Sequence, residues 1–273
     1  MRIGIVHPAL GVDQLGEVFS RAVAAGAEGV EVHYASPATA TVLGSIEHAR
    51  ELRQAAEAAS VSIVSLSLGC LCGRPALIGR PEVIESGQSV VLKAMGCAAE
   101  AGAEMVTVPF FGKNAIEIES ELNRAADALL DLADHAEQAG VVLAVESTLA
   151  IHQCEYLLGY VGNTGDVKIA CNTGVALRRK LDIATGIRQL GAAAIALVRF
   201  RDVRITEGAP PDFNVPLGGG NVDFSATAQA LRAVGYDGWV LADPPVVAEA
   251  DPVDAARAAL EFTRRALQNA GRA

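Results

Sequence analysis

Short apolar runs that each end on a polar residue recur along the chain: VVLAVE closes at Glu146, VKIACN at Asn172, IALVR at Arg199 and WVLAD at Asp243. Strands that are apolar along their whole length are buried on both faces, which is the pattern of a parallel sheet covered by helices. One phrase repeats, an Ala-rich helix, a Gly near its end and a short apolar strand. It fits 22–32, 98–108, 136–146, 190–199 and 231–243, with Gly26, Gly102, Gly140, Gly191 and Gly235 where a helix C-cap takes a left-handed residue. Adding 2–6, 61–66 and 167–171 gives eight strands. Among the segments between them, for example, 13–25, 45–59, 84–101, 117–139, 177–190, 223–234 and 252–270 carry apolar residues at three- and four-residue spacing, the mark of amphipathic helices. Strict alternation of strand and helix, eight times over, predicts an α/β fold, a (β/α)8 TIM barrel formed as one domain over residues 1–273.

In such a barrel, polar groups at the strand C-termini converge on the one open mouth, so that face is where the chemistry is expected. Three long loops fall on the same side, 69–83, 110–120 and 201–224, where lids and substrate contacts are commonly built. The Gly218-Gly219-Gly220 run lacks the spacing of a dinucleotide fingerprint and follows a Pro-rich loop, so it reads as a flexible turn leading to an N-cap at Asp223 or Ser225.

Composition narrows the partners. A formal net charge of -10 with no Lys or Arg run argues against nucleic acid and against an anionic membrane surface. The N-terminal MRIGIV runs directly into a strand and no apolar stretch reaches eighteen residues, so a cytoplasmic protein with a small-molecule substrate is expected; a homo-oligomer is left open. The five cysteines, Cys70, Cys72, Cys97, Cys154 and Cys171, are scattered without a C-x-x-C and read as free thiols.

The phrases AVEST, CNTG, RFRDV, PLGGGNVDF and GYDGWVLAD together resemble the xylose isomerase-like barrel family of sugar phosphate isomerases and epimerases, over nearly the whole chain. The resemblance implies a divalent metal held by a Glu ending the fifth strand, an Asp after the sixth, a His in an H-x-K-D phrase after the seventh and a Glu ending the eighth. This chain keeps Glu146 but has Asn172, Arg199 and Asp243 at the other three positions, with H-x-K-D reading Arg199-Phe200-Arg201-Asp202. A guanidinium has no lone pair to offer and keeps its proton, so Arg199 repels a cation. No cofactor is therefore expected. The alternative is a weak site for Mn, Co, Zn or Mg on Glu146, Asp243 and a third group such as Asn172, His7 or His33.

With a fixed charge in the cation's place, Arg199 stabilises an enolate or grips an anion. Glu146 is then the candidate base, Asp243 the second acid/base group and Asn172 a substrate hydrogen-bonding residue. The competing arrangement is an internal salt bridge of Arg199 with Glu146 or Asp243. Glu31, His33, His7, His152, Phe111 and Arg201 are candidate substrate-lining residues, His152 as a loop residue, with Phe110, Phe111 and Lys113 as an apolar wall and charged rim. Arg201 and Asp202 are expected to pair with each other or with loop groups, Trp239 to be core, and His48 and His135 to lie on helix surfaces. The activity these residues predict is isomerisation or epimerisation of a small polyhydroxy or carboxylated substrate by proton abstraction next to a carbonyl. A dehydratase or lyase shares that first step. A non-catalytic ligand-binding barrel is the reading from another class, and metal-dependent DNA repair is disfavoured by five His and an acidic surface.

Overall fold

Eight strands are formed: β1 Arg2–Val6, β2 Gly29–His33, β3 Ser62–Ser67, β4 Met105–Pro109, β5 Val142–Glu146, β6 Val167–Asn172, β7 Ile195–Phe200 and β8 Trp239–Ala242. They follow one another in chain order as a closed barrel, and their ladders are parallel, so this is a (β/α)8 TIM barrel. The computed structural model describes residues 1–12, 14–34, 45–162, 166–246 and 250–270. Asp13, the expected first residue of a helix, lies outside the described residues; that helix runs Leu15–Ala25.

Most helices fall where the periodicity places them, at Ile46–Ala59, Glu119–Ala139, Phe224–Ala233 and Pro252–Asn269. The helix expected from 84 begins at Pro81, whose missing N–H costs nothing in a first turn. The expected 177–190 helix is two, Thr173–Arg178 and Ile183–Leu190, separated where Lys180 takes φ 58° and Asp182 caps the second through Thr185 N–H at 3.1 Å. A further helix, Ile151–Tyr160, occupies a stretch read as loop. Gly26, Gly102 and Gly140 are left-handed C-caps as expected; Gly191 also caps its helix with positive φ (71°), but its ψ of 164° takes it out of the left-handed helical region.

The chain divides into two compact units. The first holds Met1–Glu31, Ala55–Ser62 and Cys171–Ala273. In it β7, β8, β1 and the first part of β2 lie side by side, with Arg199 beside Leu241, Ile5 beside Ala242 and Val6 beside Glu31. Phe200, Phe224 and Phe262 stack at 4.9 and 5.1 Å and fasten the helices Phe224–Ala233 and Pro252–Asn269 to β7. Trp239 is core, as expected, with the Arg2 guanidinium 4.3 Å from its ring centre.

The second unit holds Val32–Gln54 and Ile63–Ala170. Here β3, β4, β5 and most of β6 are paired, Ser67 beside Thr107 and Pro109 beside Glu146. Ser65 Oγ and Thr107 Oγ1, fully buried, satisfy each other at 3.0 Å. Among the described residues no helix is long and apolar enough to cross a membrane.

Candidate active site

In the first unit the strand ends carry two ion pairs. Glu31 sits near the end of β2 and Arg199 near the end of β7, both buried, and Arg199 Nη2 lies 2.7 Å from Glu31 Oε1 and donates to Oε2 at 2.8 Å. The ladders run β7, β8, β1, β2, so this pair spans two intervening strands. Taking a guanidinium and a carboxylate out of water is costly, and the close contact with both oxygens is what makes the burial tolerable.

The second pair is half-exposed. Arg201 Nη1 donates to Asp243 Oδ1 at 3.0 Å, to the Asp243 carbonyl at 3.2 Å and to the Pro244 carbonyl at 3.4 Å, while Nη2 reaches the Phe213 carbonyl at 3.1 Å. Of the competing arrangement, a bridge of Arg199 with Glu146 or Asp243, the Asp243 arm is corrected: Asp243 follows β8 where the fork of Arg201, two residues along the chain from Arg199, reaches it, and Arg199 pairs with Glu31. Arg201, proposed from sequence as a substrate contact, ties the β8 end to the loop after β7.

That loop, expected to carry a flexible glycine turn, is fastened from within. Asp202 is buried and its carboxylate accepts from the backbone N–H groups of Val203 (2.8 Å), Gly218 (2.9 Å), Gly220 (2.9 Å) and Val222 (3.2 Å). A side chain at Gly220 would run into Asp202 Oδ1 and come within 2.5 Å of the Val203 carbonyl, so glycine is required for the close approach. The turn is held because the carboxylate satisfies N–H groups that a loop otherwise leaves to water. Both Arg201 and Asp202 thus pair with loop groups, and Asp223 is the N-cap of the helix beyond, through Ala226 N–H at 2.8 Å.

Asn172 ends β6 and its Oδ1 accepts from Val175 N–H at 3.1 Å, capping the next helix. Thr173, which the sequence reading passed over, is fully buried; its hydroxyl donates to the Arg201 carbonyl at 2.7 Å and accepts from Arg201 N–H at 3.0 Å, stitching the β6 end to the β7 end. Its place immediately after Asn172 at a strand terminus was the available signal. His7 is buried, with Nε2 2.7 Å from the Val12 carbonyl, so that nitrogen carries a proton.

In the second unit Glu146 is buried at the end of β5, and its carbonyl accepts from Phe110 N–H at 2.7 Å. Burial, with the Glu146 charge adding to it, pushes the nearby Cys72 thiol up, so Cys72 is a neutral neighbour of this carboxylate. The two loops expected as lids are tied together by Asn114, fully buried, which accepts from Leu77 N–H at 2.9 Å and donates to the Pro109 carbonyl at 3.0 Å. Phe111 is half-buried and Lys113 exposed beside them, whereas Phe110 is fully buried core. His33, at the end of β2, is half-buried. His152 is corrected from a loop residue to an exposed position in the first turn of the Ile151–Tyr160 helix. His135 is exposed on its helix as expected, but His48 is half-buried, with Nδ1 2.7 Å from Ser45 Oγ.

The donor set is a poor fit to a divalent cation. Of the four positions compared, one presents a guanidinium, one an amide oxygen already accepting a backbone N–H, and one a carboxylate engaged by Arg201. Among the described residues no three His, Cys, Asp or Glu side chains gather as a cation site.

The parallel strands and the helices between them define the class as a (β/α)8 barrel. Residues 19–266 match the xylose isomerase-like TIM barrel family, and the chain belongs to it. It is 31% identical over 258 residues to a 2-epi-5-epi-valiolone 7-phosphate 2-epimerase from an Actinoplanes species, covering 91% of this chain and 88% of the relative. Two solved structures share the fold. An L-ribulose 3-epimerase superimposes with TM-score 0.79 at 20% identity, covering 99% of this chain and 96% of that one. A 3-keto-D-glucoside 4-epimerase from E. coli, in its apo form, gives TM-score 0.76 at 19% identity, covering 97% and 99%.

Proposed function

We propose that the protein is an epimerase of a polyhydroxy ketone or its phosphate ester, inverting one carbon next to the carbonyl without a divalent metal. The observation that carries the reaction class is the 31% identity, over 91% of the chain, to an epimerase named for 2-epi-5-epi-valiolone 7-phosphate. The residues supply a route. Glu146 takes the proton from the carbon next to the carbonyl, and the electron pair moves onto the carbonyl oxygen as an enolate. Arg199, a cation that cannot lose its proton at working pH, stabilises that oxyanion. Asp243, entering the step as the carboxylic acid, gives its proton to the opposite face while Glu146 keeps the one it took, and exchange of both groups with solvent resets the pair; the product differs from the substrate only in configuration and no redox partner is needed. Asn172 is proposed to hydrogen-bond a substrate hydroxyl.

The proposal is tested by incubating the protein in D2O with 2-epi-5-epi-valiolone 7-phosphate and, separately, with a panel of ketoses and their phosphates, and following each by NMR. One deuteron at the carbon next to the carbonyl, with a second set of resonances for the inverted isomer, is the expected result. Loss of water or cleavage of a carbon–carbon bond after deuterium uptake makes the protein a dehydratase or lyase instead. No deuterium in any substrate contradicts the proposal.

A further inference from the structure

We infer that Glu31 is a positioning residue for Arg199, so that the two side chains act as one fixed charge pair. The inference rests on the epimerase reading only for its catalytic consequence.

The geometry is specific. Both Glu31 oxygens lie within 2.8 Å of the same nitrogen, Arg199 Nη2, and the side chains retain only 2% and 9% of their exposure. Each partner is rooted in a paired strand, Glu31 beside Val6 and Arg199 beside Leu241. The contact therefore fixes the guanidinium at the end of a long stem that would otherwise sample many rotamers. A cation intended for a developing oxyanion is most effective when its orientation is settled before the reaction, because no reorganisation is then charged to the transition state. Glu31 was a candidate substrate ligand on sequence; with both oxygens on Arg199 its role is to aim that residue.

A purely structural brace predicts something different. Replacing a buried ion pair by apolar residues of similar volume is commonly neutral or stabilising, whereas removing one partner strands a charge. The pair can thus be separated from its stability contribution by changing both ends together.

The experiment uses the full chain labelled with 15N,13C-arginine. In the wild type the Arg199 guanidinium, assigned by its loss in Arg199→Lys, is expected to show distinct Nη resonances with slow rotation. In Glu31→Gln these should collapse to the averaged signal of exposed arginines, and Glu31→Asp should retain part of the order; Glu31→Asp serves alone if Glu31→Gln does not fold. In deuterium exchange, Glu31→Gln should lower turnover roughly tenfold or more with KM changed far less. The double change Glu31→Met, Arg199→Met should recover the melting temperature and not the exchange. Unchanged Arg199 resonances in Glu31→Gln overturn the positioning role, and exchange at the wild-type rate in the double variant overturns its catalytic consequence. Ordered Arg199 resonances in a wild type that labels no substrate contradict the epimerase reading while leaving the positioning role in place.

Discussion

Arg201 binds Asp243 twice, at Oδ1 and at the main-chain carbonyl, and holds Phe213 with its other Nη nitrogen. One side chain therefore sets where the proposed second acid/base group points and where the loop after β7 lies. Arg201→Met is expected to lower epimerase turnover roughly tenfold or more through misplacement of Asp243. Its stability effect should be small, about 1 kcal/mol or less, because a half-exposed ion pair is screened by water. Steady-state kinetics beside thermal melts checks both; a large melting change with intact turnover contradicts the assignment.

Asp202 makes the opposite prediction. Its carboxylate serves four backbone N–H groups, and Asp202→Ala leaves them buried or poorly solvated. A loss of roughly 3 kcal/mol, or a melting temperature lower by about 5–10 °C, is expected. Gly220→Ala should destabilise in the same direction by driving a methyl group into Asp202 and the Val203 carbonyl. Differential scanning calorimetry of the two variants reads this directly.

How much of this was legible in the sequence depends on the range of the interaction. The eight strands were found because apolar runs report burial on both faces, and each run is local. The Ile151–Tyr160 helix was missed because IHQCEYLLGY has one charged residue and weak amphipathic contrast. The strand ends fixed which face Glu31, Arg199 and Asp243 share, but not who meets whom. Glu31 and Arg199 are 168 residues apart, and their pairing depends on strand register and side-chain reach. The Gly218-Gly219-Gly220 run was read as flexible because its acceptor, Asp202, lies sixteen residues from Gly218 and is recognised only once the loop is folded.

Burial pushes the Cys154 thiol up from its ordinary 9.0 to about 12. Since the unfolded chain loses that proton first, the contribution is complete below pH 9 and is lost as pH rises from about 9 towards 12, at up to about 1.4 kcal/mol per unit. Urea midpoints measured from pH 8 to 11 should fall with pH in the wild type and less steeply in Cys154→Ala. Equal slopes contradict a buried neutral thiol.

Reversing the three departures tests whether they are specific replacements. Arg199→His, Asn172→Asp and Asp243→Glu together replace the guanidinium by an imidazole, add one carboxylate and lengthen another. The triple variant should gain melting temperature with increasing Mn, Co or Zn, and the native protein should not. Equal stabilisation of both means that the native residues already hold a metal.

In the proposed reaction Glu146 abstracts the proton and the charge of Arg199 stands in place of a metal. The most direct test is the rate of deuterium incorporation next to the substrate carbonyl after exhaustive EDTA treatment, for the wild type, Glu146→Gln and Arg199→Ala. The account predicts an unchanged wild-type rate, no measurable exchange in Glu146→Gln and a loss of roughly a hundredfold or more in Arg199→Ala. Exchange abolished by EDTA and restored by manganese, cobalt or zinc would contradict it.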